Sequence, residues 1–213
     1  MDGLRRRILA STDIGGDDFV DLDLPSGALW ARGNIVSDGR GGYKIGKATD
    51  YGAYFSWGNI DPHFSTDGEY FDPDHYRFDS AYSSSPGKSV TTDIPVDDAA
   101  HDAALALLGS PWHIPSRDNF SELYSSNNTD REWTTIDGVN GWKFMKKTDH
   151  SVYIFIPAAG YGYMKPDYLG SDCRYWTRTR YTNDDSYFMY SQNTSTITYS
   201  SGRRYYGMPV RAF

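Results

Sequence analysis

Few residues in this chain have the types and spacings that make covalent chemistry. Cys173 is the single cysteine, which excludes an intrachain disulfide framework and any multi-cysteine metal site. His63 and His75 stand among Asp61, Asp67, Asp72 and Asp74, donors that could in principle hold a divalent cation. Their spacing fits neither a calcium-binding EF-hand loop nor a zinc pattern, so they read as solvated loop residues. His101 and His113 read as polar edge residues rather than catalytic bases. There is no Gly-x-Ser-x-Gly elbow, no Gly-x-x-x-x-Gly-Lys-Ser/Thr phosphate loop and no metal-spaced histidine pair. The expectation is no catalytic residue, no metal and no cofactor.

Recognition chemistry, by contrast, is concentrated in one stretch. From Arg174 to Tyr206 the chain reads RYWTRTRYTNDDSYFMYSQNTSTITYSSGRRYY, roughly three-quarters of it Tyr, Ser, Thr, Asn or Arg, far from ordinary composition. Tyrosine offers a large contact area with a polar tip and few torsions to freeze. Ser, Thr and Asn offer adaptable hydrogen bonding, and arginine a planar donor fork. The same residues also suit a polar β segment with turns, so composition leaves both readings open.

The whole-chain totals narrow the partners. At 213 residues one large domain with a single core is feasible. Hydrophobic content is 38% while aromatic content is 16%, with 18 Tyr and 6 Trp, so burial must come largely from rings. A formal net charge of −7 argues against nucleic acid or an anionic membrane as a general partner; Arg203-Arg204 is a local basic docking point. Residues 1–18 carry Arg5-Arg6-Arg7 but no apolar run of signal-peptide length, and read as a flexible or partner-docked leader. Within it, Gly15-Gly16-Asp17-Asp18 has the letters of a nucleotide-cyclase signature without the domain that would use them. No apolar stretch reaches membrane-spanning length, so the chain is expected to be made in the cytoplasm without a secretory signal.

The elements that must position the tyrosine-rich stretch follow from periodicity. Val20, Leu22 and Leu24 alternate with Asp21 and Asp23, which predicts a half-buried strand. Pro25-Ser26-Gly27 turns it into a second strand at Ala28–Ala31, giving an opening hairpin. In Tyr51–Gly58 glycines alternate with rings, which predicts close backbone packing around buried aromatics. The spacing predicts a helix over 97–108 with acids in its first turn and Gly109 as a stop, and a second from an N-cap at Ser116 through Phe120, Leu123 and Tyr124 toward Ser125. Glu132–Thr135 and Gly141–Met145 read as strands around a turn at Asp137-Gly138. Ser151–Ile156 is the most hydrophobic strand and is expected at the centre of a sheet. The alternating tail 207–213 is expected beside the opening hairpin.

Several segments, in order, carry a resemblance. Val20–Gly27 with Leu29-Trp30-Ala31, Tyr51–Gly58, Trp112–Ser116, Trp133-Thr134-Thr135, Gly138–Gly141, Ile156–Tyr161, Tyr175–Thr179 and Gly207–Arg211 resemble a gut-bacterial and phage family with a C-type lectin-like fold. Within it the chain most resembles the variable proteins of diversity-generating retroelements. Two motifs depart from the family pattern: Trp112-His113-Ile114-Pro115 stands for Trp-Arg-Leu/Met-Pro, and Pro209-Val210-Arg211 for Ser-Val-Arg. The resemblance implies an α+β fold of the C-type lectin-like type, with antiparallel β-sheets, two helices and long irregular loops. Residues 19–213 would form that domain and 174–206 its variable ligand-binding segment.

In that family a reverse transcriptase rewrites adenine-containing codons while the scaffold stays constant. Rewritten Asn codons yield Tyr, Ser, Thr, Asp, Asn and Arg but neither Lys nor Glu, and 174–213 contains neither. The resemblance implies Trp176, Phe188, Gly207 and Val210 as fixed framework. The exposed binding face would comprise Tyr181, Asn183, Asp184, Asp185, Tyr187, Tyr190, Thr194, Thr198, Tyr199, Ser200, Arg203 and Tyr205. The expected partners are a protein or glycan receptor on a bacterial surface and, in the particle, phage tail components; the expected location is the virion. The alternatives are a host-bacterial surface protein with a fixed ligand, and a formylglycine-generating-enzyme-like oxidase, for which one cysteine is too few.

Overall fold

The computed structural model describes residues 18–62, 86–163, 166–193 and 196–213. The leader before Asp18, together with His63, His75, Asp67, Asp72, Asp74 and Thr194, lies outside the described residues. The described residues form an α+β protein, mostly antiparallel β-sheet with two short helices. Two three-stranded antiparallel sheets dominate. One runs β6 (Thr129–Ile136), β7 (Val139–Lys146), β8 (Asp149–Pro157); the other runs β11 (Asp172–Arg180), β12 (Asp185–Gln192), β13 (Thr198–Arg203).

The opening hairpin forms as its turn chemistry requires. β1 (Phe19–Asp21) pairs with β2 (Leu29–Ala31), and Gly27, at a φ of 74°, closes the turn by donating to the Leu24 carbonyl at 2.8 Å. The ladder stops at Asp21 because that carboxylate accepts the Asp23 N–H at 2.9 Å and Asp23 turns to a positive φ of 55°. Leu22 and Leu24 stay buried beyond the ladder. Their alternation therefore marks burial rather than strand pairing.

A second hairpin, β3 (Ile35–Ser37) with β4 (Tyr43–Ile45), follows, and then β5 (Tyr54–Phe55). Around β5, Ala53, Tyr54, Phe55, Ser56 and Trp57 are all buried. Gly52 makes room for this: at a φ of 91°, any Cβ there would sit 2.6 Å from that of Asn34.

The first helix is shorter than the sequence predicts. α1 spans Ala103–Leu108, not 97–108. Asp102, expected inside the helix, is its N-cap. Its buried carboxylate accepts the N–H groups of Ala104, Leu105 and Ile114 at 2.9–3.2 Å. Asp98 ties residues 98–101 into a turn by accepting from Ala100 and meeting His101 Nδ1 at 2.7 Å. Short acidic side chains compete with helical backbone bonding in this way. α2 (Arg117–Tyr124) begins after Ser116 as expected, with a capping box in which Ser116 and Asn119 satisfy each other's backbone N–H groups.

Strand β8 also differs from expectation. Among the described residues it pairs only with β7, as an outer strand rather than a central one, yet Ile154, Phe155 and Ile156 are at most 1% exposed. Its free edge is covered by side chains from elsewhere: Arg211 Nη2 donates to the Phe155 carbonyl at 2.7 Å and the Tyr175 hydroxyl to that of Pro157 at 2.8 Å. The β6–β7 turn falls at Asp137-Gly138, both in the left-handed region, as the Asp-Gly pair predicts.

Among the described residues three apolar clusters sit between these layers. The largest joins Trp30, Tyr54, Phe120, Phe144, Ile156, Tyr175 and Met189 across both large sheets and α2. The second gathers Ile35, Phe55, Trp112, Ile114 and Val210 around α1, and the third holds Trp57, Ile94, Trp176, Phe188 and Met208. The tail crosses all of this. β14 (Met208–Pro209) pairs with β5, the Ala212 carbonyl accepts from Ala31 of the opening hairpin at 2.9 Å, and Phe213 exchanges both backbone bonds with His113.

Candidate ligand-binding surface

Backbone anchors fix the tyrosine-rich segment from behind. Trp176 Nε1 donates to the Phe55 carbonyl at 2.7 Å, and Trp57 Nε1 returns a bond to that of Thr177 at 2.8 Å. Arg204 is fully buried, with its guanidinium 4.2 Å above the Trp57 ring. It donates to the carbonyls of Val90 at 2.7 Å and Thr182 at 2.5 Å. The basic docking point expected at Arg203-Arg204 is therefore corrected: Arg204 is a clamp joining three segments, and only Arg203 reaches solvent. Arg211, also fully buried, donates to Asn34 Oδ1 and to the carbonyls of Ala31 and Phe155 at 2.7–3.0 Å. Burial lowers its pKa to about 10.

The residues expected on one exposed face occupy three places. The first is the β11–β12 hairpin tip. Tyr181 is 50% exposed, and Asn183 and Asp184 are exposed beside it. The Thr182 hydroxyl accepts the N–H groups of Asp184 and Asp185, Arg180 donates to Asn183 Oδ1 at 2.6 Å, and Lys88 pairs with Asp184. The Lys88 hydrogen bond holds the Asp184 carboxyl below the usual range.

The second place is the α2 side of the sheet. Tyr187, half-buried, lies between Tyr181, at 4.9 Å between ring centroids, and the Arg117 guanidinium, 4.3 Å from its ring. Arg117 also sits 4.6 Å from the Tyr199 ring. Tyr199 itself packs inward: its hydroxyl bonds to Ser121 Oγ and the Arg117 carbonyl, and burial raises its pKa. The ring lies against Tyr124, 5.8 Å away, so Tyr199 braces the face more than it displays itself. Asp185 and Arg203 are register partners on this side, 3.6 Å apart as an ion pair.

Tyr190, Thr198 and Ser200 belong to the opposite side, because side chains alternate along paired strands and these three share the register phase of Trp176 and Phe188. Here the structure assembles a ring cluster that sequence reasoning missed. Tyr161 of β9 (Tyr161–Gly162) and Tyr168, just after β10 (Pro166–Asp167), stack at 6.0 Å and 18°. The Arg174 guanidinium lies over Tyr161, Tyr168 and Tyr190 at 4.4–5.2 Å and is bound twice by the buried Asp172 carboxylate. Tyr206 sets its edge against Tyr161 and Tyr163, while Tyr205 lies 6.1 Å from Tyr163. Tyr163 and Tyr168 are 42% and 48% exposed.

The tyrosine spacing in Tyr161–Tyr168 was the available signal for this cluster. Arg117 had none, since it joins Tyr187 only through the fold. Among the described residues, no group of three or more His, Cys, Asp or Glu is placed to hold a metal. Cys173 is buried, its thiol pushed up by desolvation and aimed at the Ile156 carbonyl. Among the described residues, no helix is long and apolar enough to cross a membrane. No protein-family model, curated protein or solved structure matches this chain.

Proposed function

We propose that the chain is a non-enzymatic binding protein of C-type lectin-like fold, a variable protein of a diversity-generating retroelement. Its 174–206 segment presents a changeable receptor-binding surface, and its place is the tail tip of a phage that docks on a bacterial surface receptor. The observation that carries this reading is the division of labour within one segment. Trp176 and Arg204 are buried and hydrogen-bonded to the scaffold and Phe188 and Met189 are buried in its apolar clusters, while Tyr181, Asn183, Asp184, Thr198 and Arg203 face water. Change is tolerated where side chains meet solvent and the backbone is held by residues that do not change. The buried thiol of Cys173 speaks against thiolate chemistry, which needs an accessible sulfur of depressed pKa.

Deep sequencing of the 3′ end of the gene across a natural population tests this. Substitutions concentrated at Tyr181, Asn183, Asp184, Tyr187 and the outward positions of β13, with 19–170 constant, are expected. Variation spread evenly along the chain removes the retroelement reading and leaves a protein with one fixed ligand.

A further inference from the structure

We infer that Arg117 is a fixed carboxylate-binding group set into this surface, and that the ligand it takes is an acidic saccharide. Arg117 lies outside 174–206, yet its guanidinium is held between the rings of Tyr187 and Tyr199 at 4.3 and 4.6 Å. Its Nε is buried with no hydrogen-bond partner. Among the described residues no acceptor meets its other guanidinium nitrogens either, and no carboxylate comes within 4.0 Å.

Its neighbours make the contrast plain. Arg174 is neutralised by Asp172, Arg203 by Asp185, Arg178 reaches the Ile94 carbonyl and Arg180 reaches Asn183. Arg117 alone of these keeps its whole donor fork unused, and two rings hold it in one orientation. A guanidinium so fixed loses little freedom on binding and matches a carboxylate by two parallel N–H···O bonds.

The surroundings define the rest of the ligand. Ser201, exposed and in register with Tyr187, shares the side of the sheet that carries Tyr199. Tyr181 adds a half-exposed ring next to Tyr187. A carboxylate for the guanidinium, hydroxyls for Ser201 and the ring tips, and a sugar C–H face for Tyr181 together describe a uronic acid. This rests on the proposed display surface only in placing Tyr181, Tyr187 and Ser201 at the ligand. The fork comes from the constant part of the chain, so every variant would carry the same preference for acidic ligands.

The test is an NMR titration of the full chain that follows the Arg117 Nε–Hε resonance together with the backbone amide resonances of Tyr187 and Ser201, and the amides alone in Arg117→Lys. Sodium glucuronate is added, with glucose, N-acetylglutamate and sodium chloride at matched ionic strength as parallel arms. A saturable shift with glucuronate, at least about tenfold weaker with glucose and in Arg117→Lys, is expected, since one lost bidentate pair corresponds to about that factor. A glucuronate response no larger than that to sodium chloride overturns the inference, and no variant has to fold for that result to be read. Saturation by N-acetylglutamate alone overturns the saccharide assignment. Glucuronate affinity unchanged in a folded Arg117→Lys shows a packing role only and overturns it as well. Failure of the population test would leave this titration readable, and failure of the titration would leave a diversified surface intact.

Discussion

Strands β8 and β13 hold the same topological position, each the outer strand of a three-stranded antiparallel sheet, and they have opposite fates. The end of β8 is buried from Ile154 to Pro157, while β13 exposes Thr198, Ser201 and Arg203. What differs is the chemistry that meets the free edge. An unpaired strand edge offers backbone groups that must find water or a partner. Along β8 the partners are side chains: Arg211 at the Phe155 carbonyl and Tyr175 at that of Pro157. These donors stand in for a fourth strand and let apolar side chains pack around them. β13 instead carries hydroxyls and a guanidinium into solvent, as a displayed edge can.

Breaking the closed edge is expected to have the largest effect. Arg211→Leu would leave the Phe155 and Ala31 carbonyls and Asn34 Oδ1 without their donor. A cost of about 3–5 kcal/mol is expected, a large share of the roughly 5–15 kcal/mol that holds most domains together. Urea unfolding reads it, and a loss below about 1 kcal/mol would mean that the edge is closed by something else.

High pH attacks the same region. Burial raises the tyrosine hydroxyls of Tyr54, Tyr175 and Tyr199 and the thiol of Cys173 above their ordinary values. Groups held protonated in the folded chain contribute stability that is fully present below their unfolded pKa and lost as pH rises past it. The window for the hydroxyls opens near 10. Arg211 acts in the opposite sense, because burial lowers it to about 10 and raising the pH relieves the cost of its charge. Three hydroxyls and a thiol outweigh one guanidinium, so stability is expected to fall above pH 10. Tyrosinate absorbance should then rise cooperatively with loss of near-ultraviolet dichroism. A smooth rise with the fold intact would show that these hydroxyls are not sealed.

The two edges were not equally legible in the sequence. The apolar run Ser151–Ile156 announced burial, but a buried strand with neighbours on both sides and one capped by distant side chains have the same pattern. Arg211 lies 56 residues from Phe155, and nothing local marks it as the cap. Ser116, Asp137-Gly138 and Pro25-Ser26-Gly27 were legible because their chemistry is local. Asp102 was not, because an acid at a helix start reads alike as first turn or N-cap until its carboxylate is seen accepting three N–H groups. The site divides in the same way. Composition located the tyrosine-rich segment, but its distribution over two sides of the sheet depends on register, and a register partner such as Ser201 for Tyr187 is not written in either residue.

A finer cut through the closed edge is Tyr175→Phe. It keeps the ring in the core and removes only the hydroxyl that donates to Pro157 and accepts from Asn34 Nδ2 at 3.1 Å. About 1–2 kcal/mol is expected, as for a buried polar partner left unsatisfied, read from the urea midpoint at an unchanged slope. An effect as large as that of Arg211→Leu would mean that the two donors act as one unit rather than separately.

The smallest effect belongs to the open edge, and it sharpens the comparison from the other side. Thr198→Asn, Ser201→Asn and Arg203→Ser combined are expected to move stability by no more than about 0.5 kcal/mol per site, since exposed side chains away from caps and buried bonds rarely do more. Gly202 is the control within the same strand. A Cβ there would stand 3.0 Å from Phe188 Cε1 and 3.4 Å from the Tyr206 ring, so Gly202→Asn must displace rings that line the third apolar cluster and is expected to cost more than the triple change. If the triple variant unfolds as easily as Gly202→Asn, β13 is holding the fold together and is not free to vary. If only Gly202→Asn suffers, room at each position and not the side of the strand sets tolerance, since Thr198 shares the phase of Gly202. Natural diversity at 174–206 would then be confined to positions where an added side chain meets water rather than the rings of Phe188 and Tyr206.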